Sequence, residues 1–68
     1  MESNKKYKEL IEQNVGRKIF LRKKKNKDYT IAGHIDEVFE ESFILKSEED
    51  SYIINFEEIY SADIKSKG

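Results

Sequence analysis

The chain has 68 residues, 40% of them charged and 37% hydrophobic, with a formal net charge of −1, one histidine and no cysteine. A chain of this length forms one domain with a small core, and the lack of thiols excludes disulfides and thiolate metal sites. No apolar run approaches the ~18 residues of a membrane span and no signal peptide is visible, so we expect a single cytoplasmic domain over residues 1–68 that does not contact a membrane.

The charges are divided unevenly along the chain. Residues 1–27 contain ten Lys and Arg against three Asp and Glu, a balance of +7, whereas residues 28–68 contain three against eleven, a balance of −8. A chain divided in this way can present two poles of opposite charge, provided that the fold does not interleave them.

The first element is predicted to be a helix over about residues 4–14, with Ser3 or Asn4 as its N-cap. Gly16 follows at a position where a left-handed residue ends a helix. Eleven residues are marginal as an isolated helix, so we expect this one to dock across a barrel mouth, the alternative being a helix that binds a partner. Its apolar stripe follows helical spacing and consists of Tyr7, Leu10, Ile11 and Val15.

The remainder of the chain is predicted to form five short strands, whose spacing favours a small barrel over about residues 17–64. Gly33 lies inside the second strand, where glycine lowers stability unless the strand bends or another backbone approaches. The three-residue step from Ile35 to Val38 breaks the alternation and predicts a bulge at Asp36-Glu37. The predicted strands cover residues 17–24, 29–38, 42–46, 51–56 and 59–64, with a 3₁₀ turn at Glu57-Glu58 and a frayed end at residues 66–68.

A helix, five strands with a glycine in the second, and a one-turn link before the fifth form a pattern over about residues 4–64. The residues that carry it are Val15-Gly16, Ile19-x-Leu21, Ile31-x-Gly33-x-Ile35-x-x-Val38, Phe43-x-Leu45 and Ile54-x-Phe56-Glu57-Glu58-Ile59. The pattern resembles the Sm-like fold, the small SH3-type barrel of the Sm proteins and bacterial Hfq. The resemblance implies a mainly β, five-stranded Sm-like or SH3-like barrel with an N-terminal helix.

The ligand-binding signatures of that family are replaced in this chain. Phe39 and Glu40-Glu41-Ser42 occupy the region where Sm proteins usually place an Asp and then an Asn. Asn55-Phe56-Glu57-Glu58 replaces the expected Arg-Gly or Lys-His pair. Two carboxylates where phosphate or uridine would approach argue against the family's central RNA site.

No residue cluster indicates catalysis. His34 shares a strand face with Asp36, but none of the serines lies in a nucleophile motif, and three scattered glycines form no phosphate loop. Carboxylates that are adjacent on a strand point to opposite faces, which makes them poor acid–base partners. We therefore expect no enzymatic activity, no catalytic or metal-binding residues and no cofactor.

The strongest candidate for a binding surface is the basic stretch of residues 17–27, with seven cations in eleven residues and no acid. Aromatic faces beside cations are typical of single-stranded RNA sites. Three interpretations remain open: a module that binds nucleic acid, RNA rather than DNA; a module that binds another protein or copies of itself; and a solvated hairpin whose lysines protect an edge. The candidate nucleic-acid-binding residues are Arg17, Lys18, Phe20, Arg22, Lys23, Lys24, Lys25, Lys27 and Tyr29.

Overall fold

A computed structural model describes residues 2–65, with side chains from residue 7 onward, and the predicted frayed end at residues 66–68 lies outside this range. The described chain contains one helix, one 3₁₀ turn and a five-stranded antiparallel sheet. The predicted mainly β fold with an N-terminal helix is confirmed. The elements are α1 (Glu2–Glu12), β1 (Lys18–Lys23), β2 (Asn26–Val38), β3 (Ser42–Lys46), β4 (Ser51–Asn55), the 3₁₀ turn η1 (Phe56–Glu58) and β5 (Ile59–Ile64).

Helix α1 begins at Glu2, two residues before the predicted start, so Ser3 and Asn4 lie within its first turn and the predicted N-cap is wrong. Ile11 is fully buried, whereas Val15 is 51% exposed because the helix ends at Glu12 and the helical spacing stops there.

Gly16, which lies shortly after the end of α1, has the predicted left-handed conformation, with φ of 92°. Its N–H donates to the carbonyl of Ile35 at 2.7 Å, which ties the end of the helical segment to β2.

Strand β2 is long and bent, and it begins at Asn26, three residues before the predicted start. Ile35 lies opposite Leu45 and Glu37 lies opposite Ile44, which leaves Asp36 as the bulged residue. The amino-terminal half of β2 pairs with β1 and the carboxyl-terminal half with β3. The predicted bulge is therefore confirmed, and it allows one strand to serve two neighbours.

The strands are ordered β4-β3-β2-β1-β5 in the sheet. Although β4 and β5 are consecutive in the chain, η1 directs β5 across to β1, and within residues 2–65 the two strands do not pair with each other. The sheet is thus not closed by hydrogen bonds, and closure into the predicted barrel is not confirmed.

The core lies on the inner face of the curved sheet, and α1 and η1 each add one buried side chain. The rings of Phe43 and Phe56 stack with their centroids 5.8 Å apart. Among the described residues no polar or charged side chain is buried. The buried residues are Ile11, Ile19, Leu21, Ile35, Phe43, Leu45, Ile54, Phe56 and Ile59.

Candidate functional site

Three of the candidate residues lie on one face of β1. Lys18, Phe20 and Arg22 alternate with the buried Ile19 and Leu21, so their side chains project from the outer face of the sheet. The Nζ atom of Lys18 lies 5.5 Å from the centroid of the Phe20 ring. We call Lys18, Phe20 and Arg22 the outer strip. It combines two exposed cations with a half-buried aromatic ring.

The backbone under the outer strip is fixed from both sides, because β1 pairs with β2 and with β5. Arg22 also donates from Nε to the Oγ1 atom of Thr30 at 3.4 Å. Phe20 lies between Ala32 of β2 and Asp63 of β5 in the register. A carboxylate, that of Asp63, therefore borders the strip on the β5 side, and the small side chain of Ala32 borders it on the β2 side.

The exposed residue Arg17 directly precedes the strip. Its carbonyl accepts the N–H of Ile35 at 3.1 Å, so the backbone at this position is held against β2. The side chain adds a third cation to the amino-terminal end of the outer strip.

The tip of the basic hairpin has a different environment. Lys23, Lys24 and Lys25 line a groove of about 220 Å³ together with Glu57 and Glu58 of η1. The Nζ atom of Lys23 lies 3.5 Å from Oε1 of Glu58, and the N–H of Lys24 donates to the carbonyl of Glu58 at 2.8 Å. The carboxylates of η1 therefore offset part of the positive charge at the tip.

Lys27 and Tyr29 belong to an irregular part of β2. Lys23 pairs with Asn26 and Arg22 pairs with Thr30, so residues 27–29 have no partner in β1. The Nζ atom of Lys27 lies 4.9 Å from the centroid of the Tyr60 ring. Tyr29 is 61% exposed and presents an open aromatic face.

Sequence analysis missed a groove of about 400 Å³ at the other end of β1. It is lined by Lys18 and His34 and by the acidic turn at residues 47–50. Lys46 lies opposite His34, which in turn lies opposite Lys18, so the turn after β3 comes next to the start of β1. This proximity depends on the register of three neighbouring strands, which is why charge patterning along the chain did not reveal it.

Among the side chains that the structure describes, those of residues 7–65, no group of three or more His, Asp or Glu could hold a metal ion. None of the helical segments in that range has the length and hydrophobicity that crossing a bilayer requires. Comparison of the chain with models of protein families, with curated proteins and with solved structures gave no significant match. The resemblance to the Sm-like fold therefore stays a prediction.

Proposed function

We propose that this chain is a small, non-enzymatic binding module with the curved sheet of an Sm-like or SH3-like barrel, and that its outer strip contacts single-stranded RNA. The observation that supports this most is the arrangement of Lys18, Phe20 and Arg22 on one outward face of a strand that is paired on both sides. Cationic side chains bind phosphates, and an aromatic ring offers a stacking face to an unpaired base.

The rest of the surface near the outer strip suits single-stranded RNA. Residues 18–22 extend over about 13 Å at ~3.3 Å per residue, which is a short, extended contact. Arg17 adds a cation at one end. Tyr29 adds a second aromatic ring in the same hairpin, and this one is exposed. Unpaired RNA bases are the ligands that stack on accessible aromatic rings, which favours RNA over duplex DNA.

The test is a titration of a fluorescent twelve-nucleotide single-stranded RNA at increasing salt, read by anisotropy. If Arg17, Lys18 and Arg22 each neutralise one phosphate, the logarithm of the binding constant should fall against the logarithm of salt with a slope of about −2. Absence of binding at low salt, or binding that salt does not weaken, would contradict the proposal.

A second candidate function is binding to another protein or self-assembly through the sheet edges. Strands β4 and β5 each have one strand neighbour within the described residues. The exposed residues Tyr52 and Ile53 lie on β4, and Tyr60 lies on β5. Sedimentation velocity at several protein concentrations tests self-assembly: association that persists at high salt supports an apolar edge contact, and a monomer at all concentrations excludes self-assembly.

A further inference from the structure

We infer that the groove at the start of β1 holds a guanine base of the bound single-stranded RNA, between the acidic turn at residues 47–50 and His34. This groove of about 400 Å³ is lined by Lys18 and His34 on one side and by the acidic turn on the other. We call it the mixed-charge groove. The inference rests on the proposed RNA-binding function and adds to it the base that is preferred.

One wall of the mixed-charge groove belongs to a basic row that crosses the sheet. Lys18 lies opposite His34 of β2, and His34 lies opposite Lys46 of β3. Residues directly opposite each other in antiparallel strands project from the same face, so the three side chains lie side by side on the outer face. All three are exposed. This wall therefore presents N–H donors to a ligand.

The other wall is the acidic turn, whose backbone is fixed. The N–H of Ser47 donates to the carbonyl of Asp50 at 2.8 Å, and the Oγ atom of Ser47 donates to the same carbonyl at 3.2 Å. Among the side chains of residues 7–65, the carboxylates of Glu48, Glu49 and Asp50 form no ion pair. They are therefore available as hydrogen-bond acceptors in a turn that is already ordered.

Guanine is the base whose edges match both walls. Its Watson–Crick edge carries two adjacent donors, N1–H and the N2 amine, and one carboxylate can accept from both. Its O6 and N7 atoms are acceptors, and the imidazole of His34 supplies at least one N–H in either protonation state. Adenine and cytosine place a ring-nitrogen acceptor beside their amine, which a carboxylate repels, and uracil has a single N–H.

The mixed-charge groove continues the outer strip, because Lys18 belongs to both. The Nζ atom of Lys18 lies 5.5 Å from the centroid of the Phe20 ring. A strand of RNA with one base on Phe20 and a phosphate at Lys18 thus has its next base at the groove. Carboxylates there repel phosphates and lower the affinity for RNA in general. A base that donates to them offsets this cost, which gives specificity by rejecting the other bases.

The test compares four fluorescent twelve-nucleotide RNAs at low salt, read by anisotropy. One contains uridine only, and the others have guanosine, adenosine or inosine in place of one central uridine. We expect the guanosine probe to bind about tenfold more tightly than the uridine probe, as a good bidentate base contact does. The inosine probe should be intermediate, because inosine lacks the N2 amine and keeps N1–H. The adenosine probe should bind no more tightly than the uridine probe.

Single substitutions locate the contact. Glu48→Gln, Glu49→Gln and Asp50→Asn each remove one carboxylate, and we expect at least one of them to abolish the guanosine preference while strengthening the uridine probe. A merely structural role would weaken both probes. His34→Ala should reduce the preference without changing the affinity for the uridine probe. Glu40→Gln, in the turn between β2 and β3, removes the same charge outside the groove and should keep the preference. Circular dichroism checks that each variant keeps the fold.

Equal affinities for the guanosine, adenosine and uridine probes would overturn the inference and leave the proposed RNA binding standing. Absence of binding to all four probes would overturn both. A guanosine preference that survives the three acid substitutions and His34→Ala would also overturn the inference, since the base would then be recognised elsewhere. Loss of the preference in Glu40→Gln to the same extent as in the groove variants would do so too.

Discussion

At the scale of single residues, Gly33 explains how β2 can pass so close to β3. A Cβ atom at this position would lie 2.8 Å from the carbonyl oxygen of Lys46 and 3.1 Å from Cγ of Leu45. The first of these neighbours is backbone, which cannot move aside without disturbing the β2–β3 pairing. The prediction that another backbone approaches the glycine is therefore confirmed.

We expect Gly33→Val to lower the thermal midpoint by several degrees. A loss of ~1 kcal/mol moves the midpoint of a domain this small by about 4–8 °C, and displacing the Lys46 carbonyl should cost at least that much. Ala32→Val is the matched control, because Ala32 lies on the outer face of the same strand. Thermal unfolding followed by circular dichroism measures both. Equal midpoints for the wild type and Gly33→Val would show that the close approach carries no constraint.

A second residue-scale prediction concerns the ion pair between Lys23 and Glu58. Its side chains are 34% and 49% exposed, so it contributes at most about 1 kcal/mol. Lys23→Glu should lower the free energy of unfolding at low salt, and the effect should shrink as salt screens the like charges. Lys25→Glu is the control at the same hairpin tip. Urea unfolding at two salt concentrations tests this, and a salt-independent loss would mean that Lys23 acts through packing.

At the scale of elements, α1 is attached mainly through Ile11, which is fully buried, while Leu10 is half-buried. The helix contacts η1 and β2, and the Oη atom of Tyr7 donates to the carbonyl of Tyr60 at 3.3 Å. The amphipathic spacing predicted the stripe, but the position that is most deeply buried depends on how the helix rotates against the sheet.

Ile11→Ala should therefore reduce the free energy of unfolding by at least ~2 kcal/mol, as truncations of buried isoleucine do. Leu10→Ala should reduce it by less, because part of that side chain is exposed. Denaturant unfolding of the two variants gives the comparison. If the larger loss came from Leu10→Ala, or if a chain lacking residues 1–14 kept full stability, α1 would be an appendage rather than part of the core.

At the scale of the whole molecule, the fold interleaves charges that are separate in the sequence. The pairing of β2 with both β1 and β3 brings the acidic turn at residues 47–50 next to Lys18, and η1 brings Glu57 and Glu58 next to the hairpin tip. The division into +7 and −8 segments therefore does not produce two separate poles. The outer strip and the tip both have acidic neighbours: Asp63 lies beside Phe20 and the acidic turn beside Lys18, while at the tip Glu58 forms an ion pair with Lys23.

The features that were predictable from the sequence are those encoded locally. The bulge at Asp36 follows from a broken alternation, the buried Ile19 and Leu21 follow from strand periodicity, and the 3₁₀ turn follows from a short acidic link. The contact between Lys23 and Glu58 joins residues far apart in the chain, and no local pattern encodes it. The open ends of the sheet at β4 and β5 were likewise not predictable, because a count of strands does not show whether the two strands at the ends of the sheet pair with each other.

The central claim is that the outer strip, and not the basic hairpin as a whole, is the RNA-binding surface. Two charge reversals of equal size separate these alternatives: Lys18→Glu with Arg22→Glu on the strip, and Lys24→Glu with Lys25→Glu at the tip. The measurement is the affinity of each double variant for the same twelve-nucleotide single-stranded RNA at low salt. We expect binding to collapse in the strip variant and to weaken only modestly in the tip variant, where carboxylates already offset the charge. Equal losses in both variants, or a larger loss at the tip, would contradict the account.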